Sequence, residues 1–193
     1  MLDVCGHGVS AALVAVTISQ FLMSLHNRMR LTGKLISPEN VMNRLDKAFP
    51  MERFDCFFSI VHAMLNIETG RFVYSNAGHM PPLILRSTGR LEVLEKHGTP
   101  VGIGFGAAFG QDEKQLRAGD RLILYTDGLI ENYGTDGERK GKDRFHAFME
   151  NFCHLPTQDL VARMFEDASR KRAGAAPSDD MSLIAVEYTK NCG

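Results

Sequence analysis

Leu122-Ile123-Leu124-Tyr125-Thr126-Asp127-Gly128 is the stretch whose reading decides the fold. An uninterrupted apolar run follows the turn signal Ala118-Gly119-Asp120, and it predicts a strand buried on both faces. The run ends in a carboxylate, so a charge stands at the rim of a core. Gly128 has no side chain, which predicts a sharp turn or a close backbone approach to a ligand directly after that charge. A lone Asp-Gly is also ordinary turn chemistry, an Asx-type cap, so its meaning depends on what else stands beside it.

Working outward, residues 56–94 hold short β-type runs at 56–67, 71–75, 83–86 and 91–94. Glu68-Thr69-Gly70 and Ser87-Thr88-Gly89 are of hairpin length, which predicts antiparallel neighbours in a meander. A further strand pair is expected around residues 115–125, with Arg117-Ala118-Gly119-Asp120 as its turn. Upstream, residues 9–31 read as a long helix closed by Gly33. Ser37-Pro38-Glu39-Asn40 starts a second helix, with serine as cap, proline just inside and acid in the first turn; it runs to residue 49 and Pro50 stops it. Helices at 142–153 and 157–172 and a last strand at 181–188 complete the pattern. Strands grouped in the middle with helices at both ends predict an α+β fold, an antiparallel sheet with helices packed outside.

A chain of 193 residues with 44% apolar content suits one domain over residues 1–193. With 22 basic and 23 acidic residues the net charge is -1, so no global field draws the chain to nucleic acid or to an anionic membrane. Cys5, Cys56, Cys153 and Cys192 are scattered without metal-like spacing, which argues against a disulfide scaffold and a zinc site and fits a reducing cytoplasm. Residues 9–25 are apolar enough to imitate a signal sequence or a membrane span. They lack a basic leader, follow Asp3, and are interrupted by Ser10, Thr17, Ser19, Gln20 and Ser24, so a buried helix of a soluble protein is expected.

Three acidic motifs stand at the beginning, middle and end: Asp3-Val4-Cys5-Gly6-His7-Gly8, Thr126-Asp127-Gly128 and Ser178-Asp179-Asp180-Met181-Ser182. Asp127 follows a strand, Asp179 and Asp180 precede one, and Asp3 precedes a helix; adjacent antiparallel strands would gather them at one edge of a sheet. Each also has a plain structural reading, Asp3 as a helix cap and Asp179-Asp180 as a solvated turn. Clustered carboxylates repel unless a cation sits between them. Hard oxygen ligands without Cys/His spacing favour magnesium or manganese over zinc, and such ions keep waters that serve as nucleophiles. The combination points to a two-metal hydrolase. Gly102-Ile103-Gly104-Phe105-Gly106 has no following lysine, so neither a P-loop nor a dinucleotide fingerprint is supported.

These residues resemble the SpoIIE/RsbU-type serine phosphatases, a bacterial branch of the metal-dependent type 2C (PPM) protein phosphatases. The match lies in Asp3-Val4-Cys5-Gly6-His7-Gly8-Val9-Ser10-Ala11-Ala12, similar to the family DVSGHG-x-x-AA, and in Ser75-Asn76-Ala77-Gly78-His79-Met80-Pro81-Pro82, similar to NAGHxPP. It continues in Leu124-Tyr125-Thr126-Asp127-Gly128 followed by Glu131, and in Asp179-Asp180-Met181-Ser182. The resemblance implies an αββα sandwich with two manganese or magnesium ions at one end of the sheets and a metal-bridging water that attacks phosphoserine or phosphothreonine. It also implies that Asp3 bridges the metals, that the Val4 carbonyl contributes an oxygen, and that Asp127 and Asp179 complete the ligands, with Asp180 as neighbour.

His7 lies two positions beyond the place where some type 2C relatives carry a catalytic histidine, and Cys5 fills that place. Gly6, His7 and Gly128 are therefore assigned to turn shaping or the substrate edge. Asn76 and His79, where the chain leaves a strand, stiffen a turn by hydrogen bonding or border the substrate. Cys5, which replaces the family's serine, is read as a tolerated small residue.

Family members carry a strand pair and a GGD aspartate ahead of the first motif. The resemblance thus implies a domain incomplete at its N-terminus, with a sheet edge open to pairing in an oligomer. The implied partners are a phosphorylated protein substrate, namely an anti-sigma-factor antagonist, and an upstream sensory or receiver domain, with no nucleic acid and no membrane. The other function class is a catalytically impaired remnant or a non-catalytic binding module on the same fold.

Overall fold

The computed structural model describes residues 1–104, 108–133, 138–171 and 180–189. In chain order the elements are β1 (Leu2–Val4), α1 (Val9–Thr32), α2 (Pro38–Ala48), α3 (Met51–Phe54), β2 (Phe58–Leu65), β3 (Arg71–Ala77), β4 (Leu83–Leu85) and β5 (Leu91–Val93). They continue with β6 (Asp112–Gln115), β7 (Arg121–Tyr125), α4 (Asp127–Tyr133), α5 (Glu138–Asn151), α6 (Thr157–Lys171) and β8 (Leu183–Glu187). The strands make two four-stranded sheets, in the orders β1-β2-β3-β6 and β5-β4-β7-β8, and the chain divides into two compact units.

The first unit joins residues 1–66, 71–79 and 96–114. Its helical layer follows from spacing: Val41, Met42 and Leu45 of α2 recur on one face and are fully buried, as is Ile18 of α1. They pack with Phe49, Phe58, Ile60, Ala77 and Val101 into one core cluster. Pro38 stands in the first turn of α2 behind Ser37, and α1 ends on Gly33 in the left-handed region at φ 65°. In β2 every second residue faces the helices, so Ser59 and Val61 point to the other face of the sheet.

Helix α1 is not the buried helix that its composition suggests. Among its residues only Ile18 and Leu25 are buried. Val9 is 77% exposed, and Leu13, Val16, Met23 and Leu31 are exposed as well. The sheet covers one stripe, from Val14 through Ile18, Phe21 and Leu22 to Leu25, and leaves the opposite stripe open. Thr17 and Ser19 turn their hydroxyls back to the carbonyls of Leu13 and Ala15, both at 2.8 Å, so these polar groups are satisfied within the helix. By length and composition α1 could cross a bilayer.

The second unit joins residues 67–70, 80–95 and the chain from Gln115 onward. The strand predicted from the apolar run 122–125 is β7, paired antiparallel with β4 on one side and β8 on the other, Ile123 opposite Leu83 and Ala185. Ile123 and Tyr125 meet Leu129, Tyr133, Phe145, Met149 and Met164 in the core beneath α4, α5 and α6. Two predicted features differ. The hairpin expected around residues 115–125 is absent, because β6 pairs with β3 in the first sheet and β7 belongs to the second. β6 reads Asp-Glu-Lys-Gln and has no apolar face to bury, so it suits an edge, where Glu113 holds Arg71 at 2.7 Å. β7 is continuously apolar and needs partners on both sides. The meander likewise changes sheet between β3 and β4. The predicted turn itself is present: Asp120 N–H donates to Arg117 carbonyl at 2.9 Å, and Gly119 has φ 86°.

Candidate functional site

In the second unit, β7 delivers Asp127 to the end of the sheet, and Tyr125 is paired with Leu183 at the start of β8. This register sets the segment Asp180-Met181-Ser182 beside Thr126-Asp127. Thr126, buried at 8% exposure, joins them. Its hydroxyl donates to the Asp180 carbonyl and accepts from the Ser182 N–H, both at 2.9 Å, while its own N–H donates to the Ser182 carbonyl at 3.1 Å. Two aspartate-bearing turns are thereby held side by side by one hydroxyl. Nothing local in the sequence marks Thr126 for this role, because its partners lie 54 and 56 residues away.

Asp127 is half-buried and opens α4. Its Oδ1 accepts the Gly128 N–H at 2.9 Å, which limits the carboxylate's rotation. Gly128 lies inside α4, with φ outside the left-handed region, so the expected sharp glycine turn is replaced by a helix start. The Thr126 carbonyl accepts the Leu129 N–H at 3.2 Å, and Asn132 returns its side chain to the Gly128 carbonyl. Asp180 is exposed. Asp179 lies outside the described residues.

In the first unit, Asp3 is a member of β1, opposite Ser59 of β2, and its side chain is exposed. It does not cap α1; that position belongs to Gly8. Val4 follows opposite Phe58, and Cys5 N–H donates to the Phe57 carbonyl at 3.0 Å. Gly6 and Gly8, at φ 94° and 88°, carry the chain from strand to helix through a conformation that L side chains avoid. His7 between them is exposed. β1 and β7 lie in different sheets, so the expectation that Asp3 and Asp127 meet on adjacent strands at one sheet edge is not met.

Below Asp3 in the same unit, the Asn76-Ala77-Gly78-His79 turn is closed by one side chain. Asn76 Nδ2 donates to the His79 carbonyl at 3.0 Å, and Asn76 Oδ1 accepts the His79 N–H at 2.9 Å. His79 is buried, with Nδ1 2.7 Å from Ser59 Oγ. Burial, helped by the nearby terminal ammonium, pushes its pKa down to about 4, so the ring is neutral at physiological pH. Ser59 is a polar residue in an apolar strand, and nothing else in the sequence marks it.

Each unit carries oxygen donors of its own, the Asp3 carboxylate and the Val4 backbone carbonyl in the first and the Asp127 carboxylate in the second. That chemistry fits a hard divalent cation such as manganese or magnesium and not zinc. Among the described residues, no three His, Cys, Asp or Glu side chains converge as a metal cluster.

Residues 1–189 match the family model of Stage II sporulation protein E (SpoIIE). The chain belongs to the SpoIIE family. A curated relative, the phosphoserine phosphatase RsbP of Bacillus subtilis (strain 168), is 30% identical over 192 residues, which cover 97% of this chain and 44% of RsbP. The chain thus spans less than half the length of that relative. Among solved structures, the RsbU and RsbW domains of Rv1364c from Mycobacterium tuberculosis align with a TM-score of 0.75 at 24% identity, over 98% of this chain and 51% of that one. The catalytic domain of the serine/threonine protein phosphatase PstP, solved in complex with two manganese ions, aligns with a TM-score of 0.63 at 14% identity, over 97% of this chain and 86% of that one. At these identities the structures establish the fold, that of the type 2C phosphatases, for this SpoIIE-family chain.

Proposed function

We propose that this chain is a metal-dependent protein-serine/threonine phosphatase domain of bacterial signalling, which hydrolyses phosphoserine on a protein substrate in the cytoplasm. The observation that carries the reading is the Thr126 hydroxyl bridge, which holds the Asp127 turn against the Asp180 segment at the end of β7 and β8. Such construction serves a ligand for which carboxylates must be fixed in advance of binding.

Asp3, the Val4 carbonyl, Asp127 and Asp179 would hold two manganese or magnesium ions. When bound, the ions lower the pKa of water and offset the charge that grows on the phosphoryl oxygens. The chain's own residues provide position. The Gly128 N–H fixes Asp127 Oδ1, the β1–β2 pairing fixes Asp3, and Gly6 and Gly8 bring the backbone round next to it. The family resemblance further supports an anti-sigma-factor antagonist as the phosphorylated substrate and a sensory or receiver domain as the regulator.

The test is manganese-dependent hydrolysis of p-nitrophenyl phosphate and of a phosphoserine protein by the purified chain and by Asp127→Asn. Turnover that requires manganese and is lost in Asp127→Asn supports the assignment. Metal-dependent turnover that survives in Asp127→Asn overturns the site, and silence of the wild-type chain on both substrates overturns the function.

A further inference from the structure

We propose that His79 and Ser59 form a positioning pair for Asp3, in which His79 Nδ1–H donates to Ser59 Oγ and the Ser59 hydroxyl is thereby turned to donate to the Asp3 carboxylate. The inference rests on the proposed metal-binding role of Asp3 and adds two residues to it.

Asp3 and Ser59 are direct partners across the antiparallel β1–β2 pair. Their neighbours Leu2, Val4, Phe58 and Ile60 all pack in the helix-side core, so Asp3 and Ser59 share the opposite face. Side chains so paired have Cβ atoms about 5 Å apart, within reach of a hydroxyl and a carboxylate.

The direction of the bonds follows from the imidazole. His79 is 7% exposed; Nδ1 lies 2.7 Å from Ser59 Oγ, and Nε2 is buried with no hydrogen-bond partner among the described residues. A neutral ring carries one proton. Placed on Nε2, it would leave a buried N–H without an acceptor, a rare and costly arrangement; placed on Nδ1, it is used in the 2.7 Å bond. Ser59 Oγ then accepts from His79 and keeps its own proton to give, and the anionic acceptor next to it on that face is Asp3.

The ring is also held from behind. Asn76 bonds both backbone groups of His79, and the Gly98 N–H donates to the Asn76 carbonyl at 2.7 Å. At Gly78, with φ 68°, a Cβ would come 2.5 Å from Pro100 Cγ, so the turn admits no bulkier residue. The imidazole therefore arrives at Ser59 on a fixed backbone, as a group that orients a metal ligand must.

Two measurements test the pair. Imidazole nitrogen NMR of the wild-type chain at neutral pH is expected to show His79 as the Nδ1–H tautomer; an Nε2–H or doubly protonated ring overturns the proposal. Manganese affinity, measured by calorimetry, is expected to weaken about 10- to 100-fold in Ser59→Ala and in His79→Phe. His79→Asn, whose amide N–H can stand in for Nδ1–H, is expected to recover most of that loss. In an Asp3→Asn background, Ser59→Ala should have no further effect on affinity.

A purely structural role would lower melting temperature in all these variants while leaving manganese affinity unchanged, and that result sinks the pair. If the wild-type chain binds manganese and Ser59→Ala binds it equally, only the positioning pair fails. If the wild-type chain binds no manganese at all, the functional reading fails and the pair with it.

Discussion

Thr126→Val is the substitution that most directly tests how the candidate site is built. Valine keeps the shape of threonine and removes the hydroxyl. Two hydrogen bonds go with it, the donation to the Asp180 carbonyl and the acceptance from the Ser182 N–H, each 2.9 Å. Thr126 itself is buried, but Asp180 and Ser182 are exposed, so water can reach the groups left behind. The loss is therefore near the net contribution of an ordinary bond, about 0.5–1.5 kcal/mol each, and not the full penalty of a buried unpaired group. Two such bonds give about 1–3 kcal/mol together, or roughly 2–12 °C in melting temperature for a chain of this size.

The backbone bond from Thr126 N–H to the Ser182 carbonyl and the β7–β8 ladder remain, so the effect is local loosening and not unfolding. Calorimetric melting gives the stability term, and a manganese titration of phosphatase turnover gives the site term. Both should worsen in Thr126→Val, and Thr126→Ser, which keeps the hydroxyl, should lie near wild type. A valine variant with unchanged melting and unchanged manganese dependence would refute the bridge, as would a serine variant as damaged as valine.

Three further outcomes are expected. Asp120, 1% exposed, accepts from Arg86 Nη1 at 2.8 Å and from the Ser87 and Arg117 N–H groups at 2.9 Å. Burial opposes its ionisation, but those three donors outweigh it and hold the carboxyl below its ordinary range. Its stabilisation is full above about pH 4 and lost as pH falls through the lower native pKa, so Asp120→Asn should cost about 2–3 kcal/mol in urea denaturation at pH 7 and remove that acid-side fall. His62, 8% exposed, is pushed down to about 4, chiefly by burial and then by His26 and the terminal ammonium. The native ring stays neutral while the unfolded one protonates near 6.5, so stability should fall between about pH 6.5 and 4 by up to about 3 kcal/mol, and His62→Gln should flatten that slope in chemical denaturation. Along α1, Ile18→Ala should cost about 2–4 kcal/mol by thermal melting, whereas Leu13→Ser on the open stripe should stay within about 0.5 kcal/mol.

What the sequence disclosed tracks how local each signal is. The apolar run of β7 and its terminal carboxylate were legible because both lie within seven residues, and the Ser37-Pro38 start and Gly33 stop were legible because caps are local chemistry. Partner choice is not local. Periodicity announces that residues 112–115 and 121–125 are extended, but not that they enter different sheets. Helices α3 and α4, of 4 and 7 residues, are too short for a 3.6-residue period to declare itself. Helix α1 misled for a different reason: apolar residues on every side suggest complete burial, yet burial requires a partner on every side, and this unit supplies one.

The candidate site divides along the same line. The aspartates were legible because a charge at the end of an apolar strand is conspicuous in one dimension. Thr126 and Ser59 were not, because each acts on a backbone or a side chain brought near only by folding: 54 and 56 residues away for Thr126, 20 for Ser59. Asn76 was legible, because it acts three residues along its own turn. Its signal was available as an Asn followed by Ala-Gly-His at a strand end, a sequence suited to side-chain closure of a turn. The three share one physical task. A carboxylate at the end of a strand has free rotation and a hydration shell, and both must be given up when a cation binds. Hydrogen bonds that anchor the neighbouring backbone pay part of that ordering entropy during folding, before the ligand arrives. Affinity at such a site is then set as much by uncharged residues as by the aspartates, and variation at Thr126, Ser59 and His79 should tune metal affinity without altering which cation is preferred.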